Sequence, residues 1–270
     1  KMGTFDLGNG VEVKYFLNDS YWFRFWENPK AYEVEIFKVF EQVLDRDTLF
    51  IDGGANIGFW SCFSSAKIAN KNQVVAIEAA SRVLKNLQIN RKHSKHGFRI
   101  LNNALYSTSG EKKEFTEYEH HSGSSLIKEW HQDYKVIATK AIETISLDDI
   151  IRESMFVCPN INKVVVKLDI EGVEIEAFKG ADLALQNKQN LLFVYEDHGK
   201  DLNSEITDYL LRKAEVNVYY YDVETDVTIP ITASTELRAI KKEPTKGYNF
   251  FATIKGTSLD NQMQKMATVN

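Results

Sequence analysis

The 270 residues suffice for one large domain or two small ones, and with 43% hydrophobic and 26% charged residues they have the composition of a soluble globular protein. The formal net charge of −5 argues against a nucleic-acid-binding surface, which normally carries a basic excess. No apolar run approaches the roughly 18 residues that a membrane helix needs and no signal peptide opens the sequence, so we expect a cytoplasmic protein without a transmembrane segment.

Residues 1–46 predict an N-terminal hairpin and helix that pack on the main domain. The stretch from Val11 to Trp26 alternates apolar and polar residues around Asn18-Asp19, which is typical of a β-hairpin. Apolar residues then recur at helical spacing from Tyr32 to Leu44, and this spacing predicts an amphipathic helix that begins near Pro29.

Residues 47–256 alternate strand-like and helix-like segments. The runs TLFI, QVVAIE, FRILN, KVVVKLD and NLLFVYE are apolar throughout, as expected of strands covered on both faces of a parallel sheet. Helical patterns lie between them at residues 57–68, 82–92 and 173–186, and another follows at 204–213. The alternation predicts an α/β domain, doubly wound around a mostly parallel sheet.

The last third of the chain changes character. The runs VNVYYYDV and YNFFATIK predict an antiparallel pair that closes the sheet edge, joined by an irregular stretch from Glu224 to Lys246. Residues 107–135 form a polar insertion, and we expect residues 257–270 to be a flexible tail.

An acidic residue ends each of four strand-like runs: Asp52 follows TLFI, Glu78 follows VVAI, Asp169 follows VVVKL and Glu196 follows LLFVY. The carboxyl ends of parallel strands meet at one edge of the sheet, where open α/β sheets bind ligands. Each acid alone is equally well explained as a helix cap or first-turn residue. Together they predict a binding site at that edge.

The stretch DGGANIG places Asp52, Gly54, Asn56 and Gly58 at alternate positions between a strand and a helix. Glycine allows a ligand to approach the main chain closely, and asparagine tolerates the left-handed region. The free N–H groups of the following helix would point at the bound molecule. Glu78 comes 20 positions after Gly58, where an acid can accept both hydroxyls of a ribose. The pattern favours a ribose-bearing cofactor over a mere tight turn.

The glycine spacing distinguishes between two such cofactors. NAD(P) sites use G-x-G-x-x-G, but Asn56 stands two places after Gly54. The spacing D-x-G-x-N-x-G resembles instead motif I of the S-adenosylmethionine-dependent methyltransferases, in which the loop holds the amino-acid portion of the cofactor.

Further stretches resemble one family within that class, the FkbM-type methyltransferases. YEVEIF precedes motif I, and FIDGGANIGFWS resembles the first family motif; AIEAASRVLKNLQIN is similar to the second, with Ala79 where the family commonly has proline. NNALYSTSGEKKEF, SGSSL, ETISLDDII, VVVKLDIEGVEIEAFKGA and LLFVYEDH follow in family order, so that the resemblance spans about residues 30–198. It implies a Rossmann-like, seven-stranded sheet with an antiparallel C-terminal edge strand. It also implies S-adenosyl-L-methionine as cofactor and, usually, O-methylation of a sugar, glycolipid or polyketide-derived natural product.

Carried over motif by motif, the resemblance implies a set of cofactor-binding residues: Asp52, Gly53, Gly54, Asn56, Gly58, Glu78, Ala79, Asn103, Ala104 and Asp169. The glycines and Asn56 would line the methionine part, Glu78 would hold the ribose, and Ala79 and Ala104 would edge the adenine. Asn103 fits equally well as a turn residue.

Methyl transfer to a hydroxyl requires aligned partners, exclusion of water and a base that takes the proton. Asp169, Glu196 and His198 are the candidate catalytic residues, with Asp169 best placed to face the methyl or amino group of the cofactor. Glu171 and Glu174 are expected to cap or support the following helix.

A divalent metal is the other way to acidify a hydroxyl, with Asp169, Glu196 and Asp197 as oxygen ligands. We favour a site without metal, because carboxylates are expected around the cofactor in any case. The histidines of EYEHH and His131 fit exposed positions better than a metal site.

The sequence therefore favours a methyltransferase with a small-molecule or glycan acceptor. An NAD(P)-dependent oxidoreductase and a non-catalytic methyltransferase-like scaffold are the alternatives. Because the first residue is Lys1, we also expect that neighbouring domains of a longer chain are possible.

Overall fold

The computed structural model describes residues 1–68, 70–119, 124–127, 134–199, 201, 204–213, 215–244 and 246–267. His120, His121 and His131, weighed above as metal ligands, lie outside these ranges, as does the start of the SGSSL stretch. No helix in the described part of the chain is long and apolar enough to cross a membrane.

The N-terminal hairpin lies earlier in the chain than the alternation predicted. Strands β1 (Met2–Asp6) and β2 (Glu12–Phe16) pair antiparallel around a turn in which Gly8, Asn9 and Gly10 all have positive φ. The hairpin predicted around Asn18-Asp19 is wrong. Asp19 instead caps helix α1 (Ser20–Phe23), because its carboxylate accepts from the backbone N–H groups of the next turn.

The amphipathic helix is confirmed but begins later than Pro29. A 3-10 turn covers Pro29–Ala31, and helix α2 spans Val34–Val43. Its apolar face is buried in the core, as the spacing of its residues predicted.

The remaining elements follow in chain order. They are β3 (Thr48–Gly53), α3 (Phe59–Lys67), β4 (Val74–Ile77), α4 (Leu84–His93), β5 (Arg99–Leu101), β6 (Ala104–Leu105), β7 (Lys112–Tyr118), β8 (Val136–Ile145), α5 (Leu147–Val157), β9 (Lys163–Leu168), α6 (Glu174–Lys179), α7 (Asp182–Gln186), β10 (Leu191–His198), α8 (Glu205–Leu211), β11 (Val216–Asp222), β12 (Val227–Ile231), α9 (Leu237–Ile240), β13 (Gly247–Ile254) and α10 (Ser258–Lys265).

The α/β class is confirmed, with a large mixed sheet at its centre. Its eight strands lie in the order β12-β11-β13-β10-β9-β3-β4-β5, and the run from β10 to β5 is parallel. Apolar clusters fill both faces, which is why the parallel strands are apolar throughout.

The sheet has eight strands, whereas seven were expected, because β12 forms within the stretch predicted to be irregular. Pro230 lies in β12, at the edge of the sheet, where a missing N–H is tolerated. The antiparallel strand β13 is internal, between β10 and β11, so it is not the edge strand that was expected, and β12 forms that edge instead.

Two other predictions need correction. The polar insertion contributes β7 to a three-stranded sheet with β6 and β8. The tail is not flexible over its described part, because α10 buries Leu259 and Met263 against the core and Thr257 caps it. These residues are four positions apart, which is the spacing of one helix face.

Candidate active site

A cavity of about 1030 Å³ opens at the carboxyl ends of β3, β4, β9 and β10. The acids that end these strands, Asp52, Glu78, Asp169 and Glu196, all line it. Segments from outside the parallel core close it. They contribute Ser20, Tyr21, Trp22, Arg24 and residues 31–35 on one side, Phe115, Ser124 and Leu126 on another, and Glu243, Lys246, Gly247 and Asn249 on a third. The structure thus brings together the four strand-end acids.

The loop after β3 is tied to the two neighbouring strands. Gly54 and Ala55 donate backbone N–H bonds to the carbonyl of Ile77, both at 3.0 Å, so the loop follows the end of β4. On the other side, the carbonyl of Gly53 accepts from the backbone N–H of Asp169 at 3.1 Å. The loop is therefore held between the ends of β4 and β9.

Glu78 connects this loop to the start of the α4 segment. Its Oε2 accepts from the backbone N–H of Asn56 at 2.7 Å, and its Oε1 accepts from that of Ala80 at 2.7 Å. Asn56 itself has a left-handed backbone, with φ of 50°, and its Oδ1 accepts from Nε1 of Trp22 at 3.3 Å. The carboxylate is thus fixed on the cavity wall by main-chain donors.

Not all predicted cofactor residues reach the cavity. Gly53 is packed against Leu105 behind the wall, and Gly58 begins α3 with its Cα against Leu87. Ala79 and Ala104 line the cavity beside Phe115. Asn103 also lines it, and its Nδ2 donates to the carbonyl of Glu143 at 3.1 Å.

A buried lysine lies among the acids. Lys167 Nζ is 3.2 Å from Asp169 Oδ2 and 3.8 Å from Glu33 Oε1, and its side chain is 3% exposed. Burial alone would lower the pKa of Lys167, but the carboxylates around it outweigh burial and raise that pKa. Asp52 is also buried, and burial raises its pKa. The charge of Lys167 and the hydroxyl of Ser61, which donates to Asp52 Oδ2 at 2.5 Å, oppose this shift.

Glu33 belongs to this cluster and was not singled out from the sequence. Nε1 of Trp60 donates to its Oε2 at 2.5 Å, and Nδ2 of Asn249 donates to its Oε1 at 3.3 Å. Burial raises the pKa of Glu33 to about 7, with Lys167 opposing the shift and Asp169 adding to it. A lysine inside the apolar run VVVKL was the signal that a buried acid would be needed nearby.

Glu196 and His198 line the same cavity from the end of β10. The Glu196 carboxylate lies over Gly247, where a Cβ would overlap it. Burial, followed by the charges of Asp169, Glu171 and Glu33, raises the pKa of Glu196 well above its usual range. His198 Nε2 is 4.0 Å from Glu196 Oε2.

Asp197 lies on the opposite face of β10, because successive side chains of a strand alternate. Its carboxylate is fully buried and binds Nζ of Lys241 and the hydroxyl of Thr207. The oxygen set considered for a metal, Asp169, Glu196 and Asp197, is therefore not brought together.

Glu174 was expected to cap or support the following helix, but its hydrogen bonds instead support the loop after β9 that precedes this helix. Glu174 accepts from the backbone N–H groups of Ile170 at 3.2 Å and Gly172 at 3.0 Å, and burial raises its pKa to about 8. The carbonyl of Glu171 accepts from the hydroxyl of Ser125 at 2.7 Å, which joins this loop to the described part of SGSSL.

Comparison with known families identifies the family of this chain. The Methyltransferase FkbM domain model matches residues 52–218, more than half of the chain, and the match begins at the end of β3 and contains β4, β9 and β10. The chain belongs to the FkbM methyltransferase family. Its family domain thus supplies the strand-end acids, whereas Glu33 and Asn249 reach the cavity from outside the matched residues.

Solved methyltransferase structures are similar to this FkbM chain at low identity. Precorrin-6y C5,15-methyltransferase from Geobacter metallireducens is 12% identical, with 83% of this chain and 88% of that chain covered and a TM-score of 0.41. An rRNA methylase from Streptococcus thermophilus is 10% identical, with 82% and 96% covered and a TM-score of 0.43. A SAM-dependent methyltransferase from Agrobacterium tumefaciens is 9% identical, with 94% and 70% covered and a TM-score of 0.42. A search of curated proteins found no match.

Proposed function

We propose that this FkbM-family protein binds S-adenosylmethionine at the carboxyl edge of the sheet and methylates a hydroxyl of a sugar, glycan, glycolipid or natural-product acceptor. The observation that carries the proposal is the position of Glu78. Its carboxylate is fixed by the N–H groups of Asn56 and Ala80, on the wall of a cavity that also contains Asp52, Asp169 and Glu196.

The chemistry of the cavity walls fits the parts of this cofactor. A carboxylate has about four lone-pair sites, so Glu78 can accept ribose hydroxyls in addition to two backbone bonds. Ala104 and Phe115 belong to an apolar cluster against which Ala79 and Leu126 pack, and this cluster supplies a surface for the adenine ring. Asp52 and Asp169 supply negative charge for the α-ammonium group.

The residues of the chain have three tasks in the proposed reaction. S-adenosylmethionine, when bound, would supply a methyl group that its sulfonium makes electrophilic. The loop after β3 and Glu78 hold the donor, and the N-terminal segments with the β7 side of the cavity exclude water. A carboxylate of the acidic cluster takes the proton of the acceptor hydroxyl.

Calorimetric titration with S-adenosylhomocysteine and, separately, with NAD tests the cofactor assignment. We expect binding of S-adenosylhomocysteine alone, because Asn56 replaces the second glycine of the NAD fingerprint. Binding of NAD would support the oxidoreductase alternative, and binding of neither ligand would support the scaffold.

The role of Glu78 is tested with the 2′-deoxy analogue of S-adenosylhomocysteine. A hydrogen bond to a charged group contributes about 1.5–3 kcal/mol, so the wild-type protein should bind the analogue roughly 10- to 150-fold more weakly. Glu78→Ala should weaken binding of the parent ligand and bind both ligands alike. The exposed Glu114, changed to alanine, is the control and should retain the full discrimination. If Glu78→Ala still prefers the parent ligand over the 2′-deoxy analogue as strongly as the wild-type protein does, Glu78 does not contact the ribose.

A further inference from the structure

Three separate elements fix the side chain of Glu33 at the cavity. It precedes α2, and it contacts Trp60 of α3 at 2.5 Å, Asn249 of β13 at 3.3 Å and Lys167 of β9 at 3.8 Å. Its own backbone is left-handed, with φ of 46°, a strained conformation for a residue other than glycine. Strain of this kind persists where the surrounding structure imposes it, and it is concentrated at functional sites.

Two other candidate acids of the cavity, Asp169 and Glu196, are less suited to accept a proton. Asp169 Oδ2 is 3.2 Å from Lys167 Nζ, so this carboxylate is already engaged in an ion pair. Burial, followed by the charges of Asp169, Glu171 and Glu33, raises the pKa of Glu196 well above its usual range, which disfavours its ionised, proton-accepting form. Burial raises the pKa of Glu33 to about 7, so that this carboxyl is close to half-ionised at neutral pH, where a general base works best.

We propose that Glu33 is the proton acceptor of the methyl-transfer reaction, held in place by Trp60, Asn249 and Lys167. This inference rests on the proposed function. As the hydroxyl oxygen bonds to the methyl carbon, the carbon–sulfur bond breaks and its electron pair leaves with the sulfur. The proton of the hydroxyl moves to the carboxylate of Glu33, which later returns it to solvent.

The charged and titratable groups that face Glu33 determine when it is ionised. Lys167 favours its charge, and Asp169 and Glu35 oppose it. The carboxyl of Glu196 and the phenols of Tyr21 and Tyr32 also interact with it, and the pKa of each is raised, first by burial and then by neighbouring charges that include Glu33. The two phenols are therefore uncharged at neutral pH.

The hydrogen bond from Trp60 provides a direct reporter of this charge. The chain has four tryptophans, so the indole ¹H–¹⁵N resonance of Trp60 can be assigned with the Trp60→Phe variant. We expect this resonance to titrate with a midpoint near pH 7, and the titration to vanish in Glu33→Gln. In Glu35→Gln, the matched control, it should persist with a lower midpoint, because the charge of Glu35 raises the pKa of Glu33.

Ligand binding and transfer then separate this inference from the proposed function. Glu33→Gln should retain affinity for S-adenosylhomocysteine within about threefold. A hydroxyl acceptor is first found by screening with methyl-labelled S-adenosylmethionine. The rate of methyl transfer to that acceptor should fall about 10²–10⁴-fold in Glu33→Gln, and its pH profile should lose the acid limb near pH 7. Failure of the wild-type protein to bind S-adenosylhomocysteine would overturn the proposed function. Binding without a Trp60 titration near pH 7, or with full transfer by Glu33→Gln, would overturn the role of Glu33 alone.

Discussion

Gly54 shows how one residue determines the spacing of the site. Its φ is +74°, and a Cβ at this position would overlap the carbonyl oxygen of Asp169. The absence of a side chain therefore allows the loop after β3 to touch the loop after β9. This close approach puts Asp169 beside the loop that contains Asn56.

Gly54→Ala should consequently lower the free energy of unfolding by more than the backbone strain alone would. A left-handed alanine costs about 1–2 kcal/mol, and the steric overlap should add roughly 1–3 kcal/mol while it displaces the loop of Asp169. Gly110→Ala is the matched control, because its φ is +82° and no described heavy atom lies within 4 Å of a Cβ there. Urea unfolding and titration with S-adenosylhomocysteine should show a larger stability loss, and at least tenfold weaker binding, for Gly54→Ala alone. Equal losses of stability and of binding in the two variants would mean that the loops after β3 and β9 move apart freely.

Residues that follow a strand in sequence were predictable, whereas residues that meet only in the folded chain were not. Asp52, Glu78, Asp169 and Glu196 each end an apolar run, so parallel pairing alone places them at one edge. The hydrogen bond between Asn249 and Glu33 joins residues 216 positions apart. No local pattern encodes such a pair.

The same distinction holds for whole elements. Continuous apolar runs predicted the parallel strands, because burial on both faces leaves no alternation. The pattern failed where a single residue decides the element, as when Asp19 caps α1 instead of turning a hairpin. It also failed for β12, since Pro230 argues against a strand unless the strand is known to lie at an edge.

The segment that connects β12 to β13 is anchored by a buried ion pair. Lys241 Nζ contacts the carboxylate of Asp197, and it also donates to the carbonyl of Asp201 at 2.6 Å and the hydroxyl of Ser204 at 2.9 Å. This contact joins the segment to β10 and to the start of α8, shortly before Glu243, Lys246, Gly247 and Asn249, which line the cavity. The ion pair therefore positions one wall of the site.

Lys241→Met should destabilise the protein by about 3–5 kcal/mol, because it leaves the charge of Asp197 buried without its partner. The double variant Asp197→Asn with Lys241→Met removes that charge, and the substituted amide oxygen can still accept from the hydroxyl of Thr207, so much of the loss should be recovered. Urea unfolding of Lys241→Met, of Asp197→Asn and of the double variant measures the difference. A double variant that loses as much stability as the two single variants together would show that the two side chains contribute independently.

At the scale of the whole molecule, the N-terminal extension, the family domain and the C-terminal strands all contribute to one cavity, and assembling it buries acids. Burial raises the pKa of Glu33 to about 7, raises that of Glu174 to about 8, and raises that of Glu196 well above its usual range. The folded state therefore retains protons that the unfolded chain would release at lower pH. The stability of the molecule must then depend on pH.

The free energy of unfolding should fall as pH rises from about 4.5 to about 8, because the folded state binds more protons than the unfolded state in this window. Each such group contributes a slope of about 1.4 kcal/mol per pH unit between its unfolded and folded pKa values. Carboxyls whose pKa is lowered on folding, such as Asp45 and Glu117, act at lower pH and leave this window unaffected. Urea unfolding at pH 5, 6, 7 and 8 gives the free energy of unfolding as a function of pH. Subtracting the values of Glu174→Gln from those of the wild-type protein isolates the contribution of Glu174. The difference should grow steadily toward pH 8 for Glu174→Gln and stay flat for the exposed Glu114→Gln. A wild-type stability that rises over this range would contradict the retention of protons by the folded state. A flat difference for Glu174→Gln would mean that Glu174 is ionised in the folded protein.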